Sequence, residues 1–242
     1  MQHRIRRVER YLATQPGEIG IVLHDRRTGA TWRNREAGTP MPAASTIKLA
    51  VAADLLLRQR AGSLSLTDAD RDLLHAALHD SSDAAADQLW SAFESGNFAQ
   101  RVRRFGMDDT SFCSSPPYWG CVYTTADDLD SLMNYVLGEL PARERIYLVY
   151  QLRHVAWDQQ WGVWGAGRSS HPGNKDGWED NDGVWITDTV GFAGPHERFT
   201  LSITDDLEGA ADFSTGINTL SQVAALLFRG RHVTAPAVQV TP

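Results

Sequence analysis

The run from Ser45 to Arg60, STIKLAVAADLLLRQR, is apolar almost all the way round a helical wheel. A helix without a polar face must be covered on every side, so this run predicts a helix through the middle of a domain, with the rest of the chain supplying the layers around it. The 242 residues, 42% of them hydrophobic, suffice for such a core in one compact unit or two interleaved subdomains. A charged fraction of 22% and eight tryptophans exclude a disordered chain. The longest strongly apolar stretch, Leu49 to Leu57, is far too short to cross a bilayer.

Around that helix the pattern alternates in blocks. Ile5, Val8 and Leu12 predict an amphipathic helix ending near Gln15-Pro16-Gly17, and Glu18–Asp25 and Ala30–Asn34 predict a hairpin of strands. Helices are expected over Asp68–Leu78 and Asp83–Phe93, around Phe98–Phe105, from Thr124-Thr125 through Val136, and from Pro141 through Leu152. Met107–Tyr123 has no period, contains Pro116-Pro117 and reads as a long irregular loop. Strands return at Asn174–Trp178, Gly183–Phe192 and Arg198–Asp205, before a last helix over Asp212–Phe228. With strands at both ends and helices between, the economical architecture is α+β in three layers. One antiparallel sheet is flanked by helices, beside an all-helical lobe. The expected division is a discontinuous sheet domain of residues 1–42 and 160–242 and a helical domain of residues 43–159, with the active site in the cleft between them.

Charge narrows the partners. There are 30 acidic against 23 basic residues, a net −7, so no basic stripe exists for a phosphate backbone and nucleic acid is excluded as a partner. Only two of the 23 basic residues are lysines, Lys48 and Lys175. Arginine stays protonated, whereas a lysine's pKa falls readily on burial, so a chain that otherwise uses arginine keeps lysine where it needs an amine. Cys113 and Cys121 are eight positions apart; they are thiols in a reducing compartment, or a loop-closing disulfide in an exported protein. No signal peptide is evident after the basic segment Met1–Arg10, so the chain as given is expected in the cytoplasm, or exported if a leader was removed.

Ser45-Thr46-Ile47-Lys48 opens the apolar helix, and a spacing of three puts both side chains on one face. A serine hydroxyl needs a neighbour to take its proton, and a lysine desolvated by this helix supplies one. The helix N-terminus adds the Ser45 N–H as an oxyanion donor. Two further elements follow in the chain: Ser81-Ser82-Asp83 with Ala84-Ala85-Ala86-Asp87 behind it, and Lys175-Asp176-Gly177 heading a strand.

In this order the three resemble the S-x-x-K, S-D-N and K-T-G set of penicillin-binding proteins and class A β-lactamases. The stretches HDRRTGATW, WGCVYTTADDL, QQWGVWGAG and NKDGW…VWITDTVGF also look like actinobacterial serine hydrolases of this superfamily, so the resemblance runs from about Ile19 to Phe228. It implies a β-lactamase/DD-peptidase-like fold, Ser45 as the acylated nucleophile and Lys48 as its general base. Ser81 passes a proton to the leaving group, with Ser82 as the alternative register. Lys175 holds the electrostatic position that helps the bridging serine and attracts a substrate carboxylate. Asp83, Asp176, Gly177 and Trp178 become substrate-binding positions, the Trp178 N–H being the second oxyanion donor.

The chain departs from the pattern in ways that bear on substrate. Asp83 replaces the asparagine of S-D-N, an acceptor-only group where an amide would also donate. Asp176 replaces the threonine of K-T-G and is expected to repel a substrate carboxylate. Ser45 and Ser81 are 36 positions apart, shorter than in class A β-lactamases, which implies a trimmed helical lobe. Class A β-lactamases activate their deacylating water with a loop glutamate, and Met107–Tyr123 contains no glutamate. Efficient β-lactam hydrolysis is therefore disfavoured against slow acyl-enzyme turnover, peptidase or acyl-transfer chemistry.

Other candidates reduce to structure. His75 and His79 lack the glutamate of a zinc helix and a third ligand, and read as a surface pair. Glu179–Gly183 is an acidic hairpin turn, Asp205-Asp206 a strand end, and the late tryptophans are packing residues. The reading is thus a serine hydrolase or acyltransferase with no metal and no cofactor, acting on a small-molecule or peptide-like acyl substrate. Its alternatives are a catalytically quiet binding protein on the same fold and an intracellular acyltransferase of secondary metabolism.

Overall fold

The computed structural model describes residues 1–94 and 97–232. Its centre is a five-stranded antiparallel sheet of β1 (Glu18–Asp25), β2 (Ala30–Arg33), β6 (Gly173–Asn181), β7 (Val184–Ala193) and β8 (Phe199–Asp206), in the order β2-β1-β8-β7-β6. β1 from the start of the chain lies against β8 near its end, pairing Ile21 with Ile203 and Leu23 with Leu201. The strand limits expected from the alternation of apolar residues hold to within a few residues. β6 is the longest extension, because its hairpin with β7 continues through the acidic turn to Asn181↔Val184.

One face of the sheet is covered by α1 (Gln2–Leu12) and α8 (Phe213–Phe228). Val8, Ile21, Leu201, Ile203, Leu220, Val223 and Trp161 form a core there. α8 starts where the Asp212 side chain accepts from Thr215 N at 2.9 Å. On the other face Val22 meets Ala37 and Ala126, the first residue of α6 (Ala126–Gly138), whose start is capped by Thr125 accepting from Asp128 N.

α2 (Ile47–Arg60) is buried from Ile47 through Leu56, as its uniform apolarity requires. It is enclosed with α3 (Asp68–His79), α4 (Asp83–Phe93), α5 (Phe98–Arg101), α6 and α7 (Ala142–Arg153) in one core that also takes in Val190 and Phe192 of β7. Its one acidic residue, Asp54, is buried and answered by Arg101 Nε at 2.8 Å.

Two local readings change. Ser45 lies outside α2, in a 3₁₀ turn, Ala44–Thr46, that leads into it. Met107–Tyr123 is not wholly irregular: β4 (Ser111–Phe112) and β5 (Val122–Thr124) pair with each other, and β5 pairs with β3 (Met41–Pro42), in a small three-stranded sheet. Strands this short leave no periodicity to read. Cys113 and Cys121 are joined in a disulfide across the β4–β5 connection, with Cys113 N donating to Cys121 O at 3.0 Å. Among the described residues no helix is long and apolar enough to cross a membrane.

Candidate active site

Ser45 is set by a turn that both neighbours hold in place. Ala43 N donates to Val122 O at 2.8 Å, and Ala43 O accepts from Thr46 N and from the Thr46 hydroxyl. Between them Ala44 sits at φ 41°, a left-handed conformation that a residue with a Cβ adopts at a cost. Ser45 is buried apart from a small opening, and its hydroxyl makes no hydrogen bond among the described residues. β6, the free edge of the sheet, passes directly opposite. A Cβ on Gly177 would lie 2.9 Å from both Ser45 N and Thr46 N, so only glycine lets the strand come this close.

The pleat of β6 then sorts the residues expected at the site. Alternate side chains point to opposite faces. Gly177, and therefore Lys175 two positions earlier, face the Ser45 turn. Asp176 and Trp178 face the α8 side. The Asp176 carboxylate accepts from Thr189 Oγ1 at 2.5 Å, its register partner on β7. The Trp178 indole packs against Trp161 and Phe213. The side chains of Asp176 and Trp178 thus lie away from the turn that carries Ser45, and only their backbone belongs to the strand edge beside it. Burial pushes the Asp176 carboxyl up, against the hydrogen bond from Thr189 and the attraction of Lys175.

Ser81 joins the two lysines. Its hydroxyl oxygen accepts from Lys175 Nζ at 2.8 Å, and its carbonyl accepts from Lys48 Nζ at 2.6 Å. Ser81 has φ 58°, again left-handed and non-glycine, which turns its hydroxyl and carbonyl toward the two amines. Ser82 is used differently: its hydroxyl accepts from Ala85 N at 3.2 Å and caps α4. Lys175 is fully buried and gives a further hydrogen bond to Asp176 O at 2.8 Å. Desolvation holds its amine well below the usual lysine range, and the charge of Lys48 pushes the same way.

Lys48 donates to Asp83 Oδ1 at 2.5 Å as well as to Ser81, and makes no hydrogen bond to Ser45 in this arrangement. Its side chain is 1% exposed while that of Asp83 is 73% exposed, so a buried cation is paired with a carboxylate at the surface. Burial lowers the Lys48 pKa, and the hydrogen bond and charge of Asp83 oppose this.

Sequence reasoning missed the roof of the site. The Trp119 ring lies 4.6 Å from Lys48 Nζ, a cation–π contact. Trp119 Nε1 and the Tyr118 hydroxyl both donate to Asp87 Oδ1, at 2.9 and 2.7 Å. Asp87 lies one turn beyond Asp83 on α4, and burial together with Asp87 pushes the Tyr118 hydroxyl up to about 12. Asn174 fixes the segment on the other side, donating to Gln159 O and accepting from Trp164 Nε1 at 2.8 Å. His75 and His79 stack on each other, with His75 hydrogen-bonded to Gln151. Among the described residues no group of three or more His, Cys, Asp or Glu is arranged to hold a metal ion.

Residues 2–69 match the model of the β-lactamase enzyme family. Over 237 residues the chain is 27% identical to "Putative lipoprotein LppW" of Mycobacterium tuberculosis and of Mycobacterium bovis, an alignment covering 93% of this chain and 74% of the relative. Among solved structures it is similar to a β-lactamase from Xanthomonas campestris, with TM-score 0.78, 20% identity and coverage of 94% of this chain and 97% of that one. A β-lactamase from Chitinophaga pinensis gives 0.78 at 15% identity, covering 94% and 99%, and one from Streptosporangium roseum gives 0.77 at 20%, covering 95% and 98%. The chain thus has the fold of β-lactamases over nearly its whole length, and its first part, residues 2–69, is similar to the β-lactamase enzyme family.

Proposed function

We propose that the protein is a serine hydrolase or acyltransferase that works through an acyl-enzyme on Ser45, in the manner of penicillin-binding DD-peptidases, and turns the acyl-enzyme over slowly. The observation that carries this reading is Ser81, tied by its hydroxyl to Lys175 and by its carbonyl to Lys48 beside the Ser45 turn. Burial lowers the Lys48 pKa, and in its neutral form this amine is the general base. The amine rotates to Ser45 and takes the hydroxyl proton as Oγ bonds to the acyl carbon. The carbonyl electron pair moves onto oxygen, facing the backbone N–H groups of Ser45 and Trp178. When the tetrahedral species collapses, the leaving group departs with the Ser81 hydroxyl proton, and Lys48 passes the proton it took from Ser45 back to Ser81, which Lys175 holds in place.

Deacylation lacks an evident base. The segment Met107–Tyr123 supplies no glutamate, and Trp119 covers Lys48 from that side. An acyl-enzyme should therefore accumulate. Intact-protein mass spectrometry with a panel of β-lactams and acyl-D-alanine esters tests this: a one-to-one adduct that persists for minutes or longer supports the reading, and no adduct with any member refutes it.

A second reading, a catalytically quiet binding protein, has one observation in its favour: the Lys48–Asp83 contact, which holds Lys48 away from Ser45 and opposes the lowering of its pKa. Reversible binding without an adduct in the same panel would select it. For location, a relative named as a lipoprotein and a disulfide in the loop that roofs the site both support a protein working outside the cytoplasm.

A further inference from the structure

Both lysines of the site spend their hydrogen bonds inward. Lys175 is buried on Ser81 Oγ and Asp176 O, and Lys48, with almost no exposed surface, is held on Ser81 O and Asp83. Neither amine is presented to solvent at the mouth. The charged group that is presented is Asp83, on the first turn of α4, which shares Lys48 with the Ser81 carbonyl. Asp87, one turn on, is a second carboxylate, and its Oδ1 already receives the donors of Tyr118 and Trp119. Asp176 cannot reverse this polarity, because the pleat of β6 turns it to the opposite face onto Thr189.

An ionised carboxylate only accepts hydrogen bonds. At this position it rewards a donor on the substrate and penalises an acceptor or an anion. We propose that Asp83 makes the site selective for acyl donors that carry an ammonium group next to the scissile carbonyl, such as aminoacyl esters or amides with a free amine, and makes it discriminate against donors that carry a carboxylate there. This rests on the acyl-enzyme reading above and adds the substrate class to it. The ammonium replaces Lys48 as the partner of Asp83, so the ion pair seen without substrate is exchanged, not lost.

The test uses three nitrophenyl esters of the same acyl skeleton, differing only at the α-position: phenylglycyl with a free α-amine, phenylacetyl, and phenylmalonyl with a free α-carboxylate. Acylation rates of the full chain are followed by intact mass. The expected order is amine, then neutral, then carboxylate, with at least about tenfold between the first and last, the size of one ion pair at a partly exposed site. Asp83→Asn also alters the partner of Lys48 and so changes the rate with all three esters, but it should compress that ratio to about threefold or less. A carboxylate ester that reacts as fast as the amine ester, or an unchanged ratio in Asp83→Asn, overturns the selectivity while leaving the acyl-enzyme standing. Failure of all three esters to label Ser45 overturns the acyl-enzyme reading and the selectivity with it.

Discussion

Lys175 Nζ donates to the Ser81 hydroxyl at 2.8 Å across 94 positions of sequence, fastening the edge of the sheet to the loop before α4. A lysine serves here because one compact nitrogen that can shed its charge fits a fully buried position, whereas an arginine fork is larger and stays charged. The contact is also what makes Ser81, and not the capping Ser82, the candidate proton donor.

That assignment predicts a leaving-group effect. Ser81→Ala should slow acylation by amides and alkyl esters about a hundredfold or more, the range for loss of one proton-transfer group. Nitrophenyl esters, whose leaving group needs no proton, should slow far less. Ser82→Ala should instead cost about 1 kcal/mol of stability through the lost cap, with acylation little changed. Paired kinetics and thermal melts of the two variants check this.

Gly177 predicts a separation of activity from folding. A Cβ there would crowd Ser45 N, the expected oxyanion donor, at 2.9 Å. Gly177→Ala should lower acylation by about a hundredfold or more, as removal of an oxyanion donor does. Circular dichroism should remain native-like, with a stability loss of about 1–3 kcal/mol from overpacking.

The block order of strands and helices, the buried helix and the three motifs were all legible, because each rests on local pattern. Period-two alternation alone would have turned Asp176 and Trp178 away from Lys175 and Gly177, a signal available in the sequence once β6 is read as a strand. The Ser81–Ser82 choice was not legible: it depends on which hydroxyl caps α4, and both precede Asp83. The Trp119–Asp87–Tyr118 roof joins residues more than 30 positions apart through a loop without periodicity, so no local rule could find it.

That roof predicts a redox effect. Reducing the Cys113–Cys121 disulfide, or replacing both residues by serine, releases the loop that carries Trp119. Chain-entropy arguments put the stability loss at about 2–3 kcal/mol for so short a loop. Trp119 should become quenchable by iodide, and the acyl-enzyme should turn over faster as water reaches the site. Fluorescence quenching and adduct decay, each with and without reductant, measure both.

Burial also predicts a stability that falls toward alkaline pH. Asp205, fully buried on the α8 face and, among the described residues, given only a long side-chain hydrogen bond by Thr187, is pushed by desolvation from 3.8 up to about 8. In the folded state it keeps its proton while the unfolded chain has lost it. Its stabilising contribution is therefore complete below about pH 4 and lost as pH rises through about 8, at up to about 1.4 kcal/mol per pH unit. Asp205→Asn should flatten the fall in melting temperature between pH 5 and pH 8; an equally steep fall in the variant would remove Asp205 as its cause.

The most direct test of the central claim is the mass of the intact protein and of the peptide containing Ser45 after exposure to an acylating probe. The expected result is a single adduct on Ser45, absent in Ser45→Ala and nearly absent in Lys48→Arg, which keeps the charge but cannot yield an amine base. An adduct that survives Ser45→Ala, or full labelling in Lys48→Arg, would contradict it.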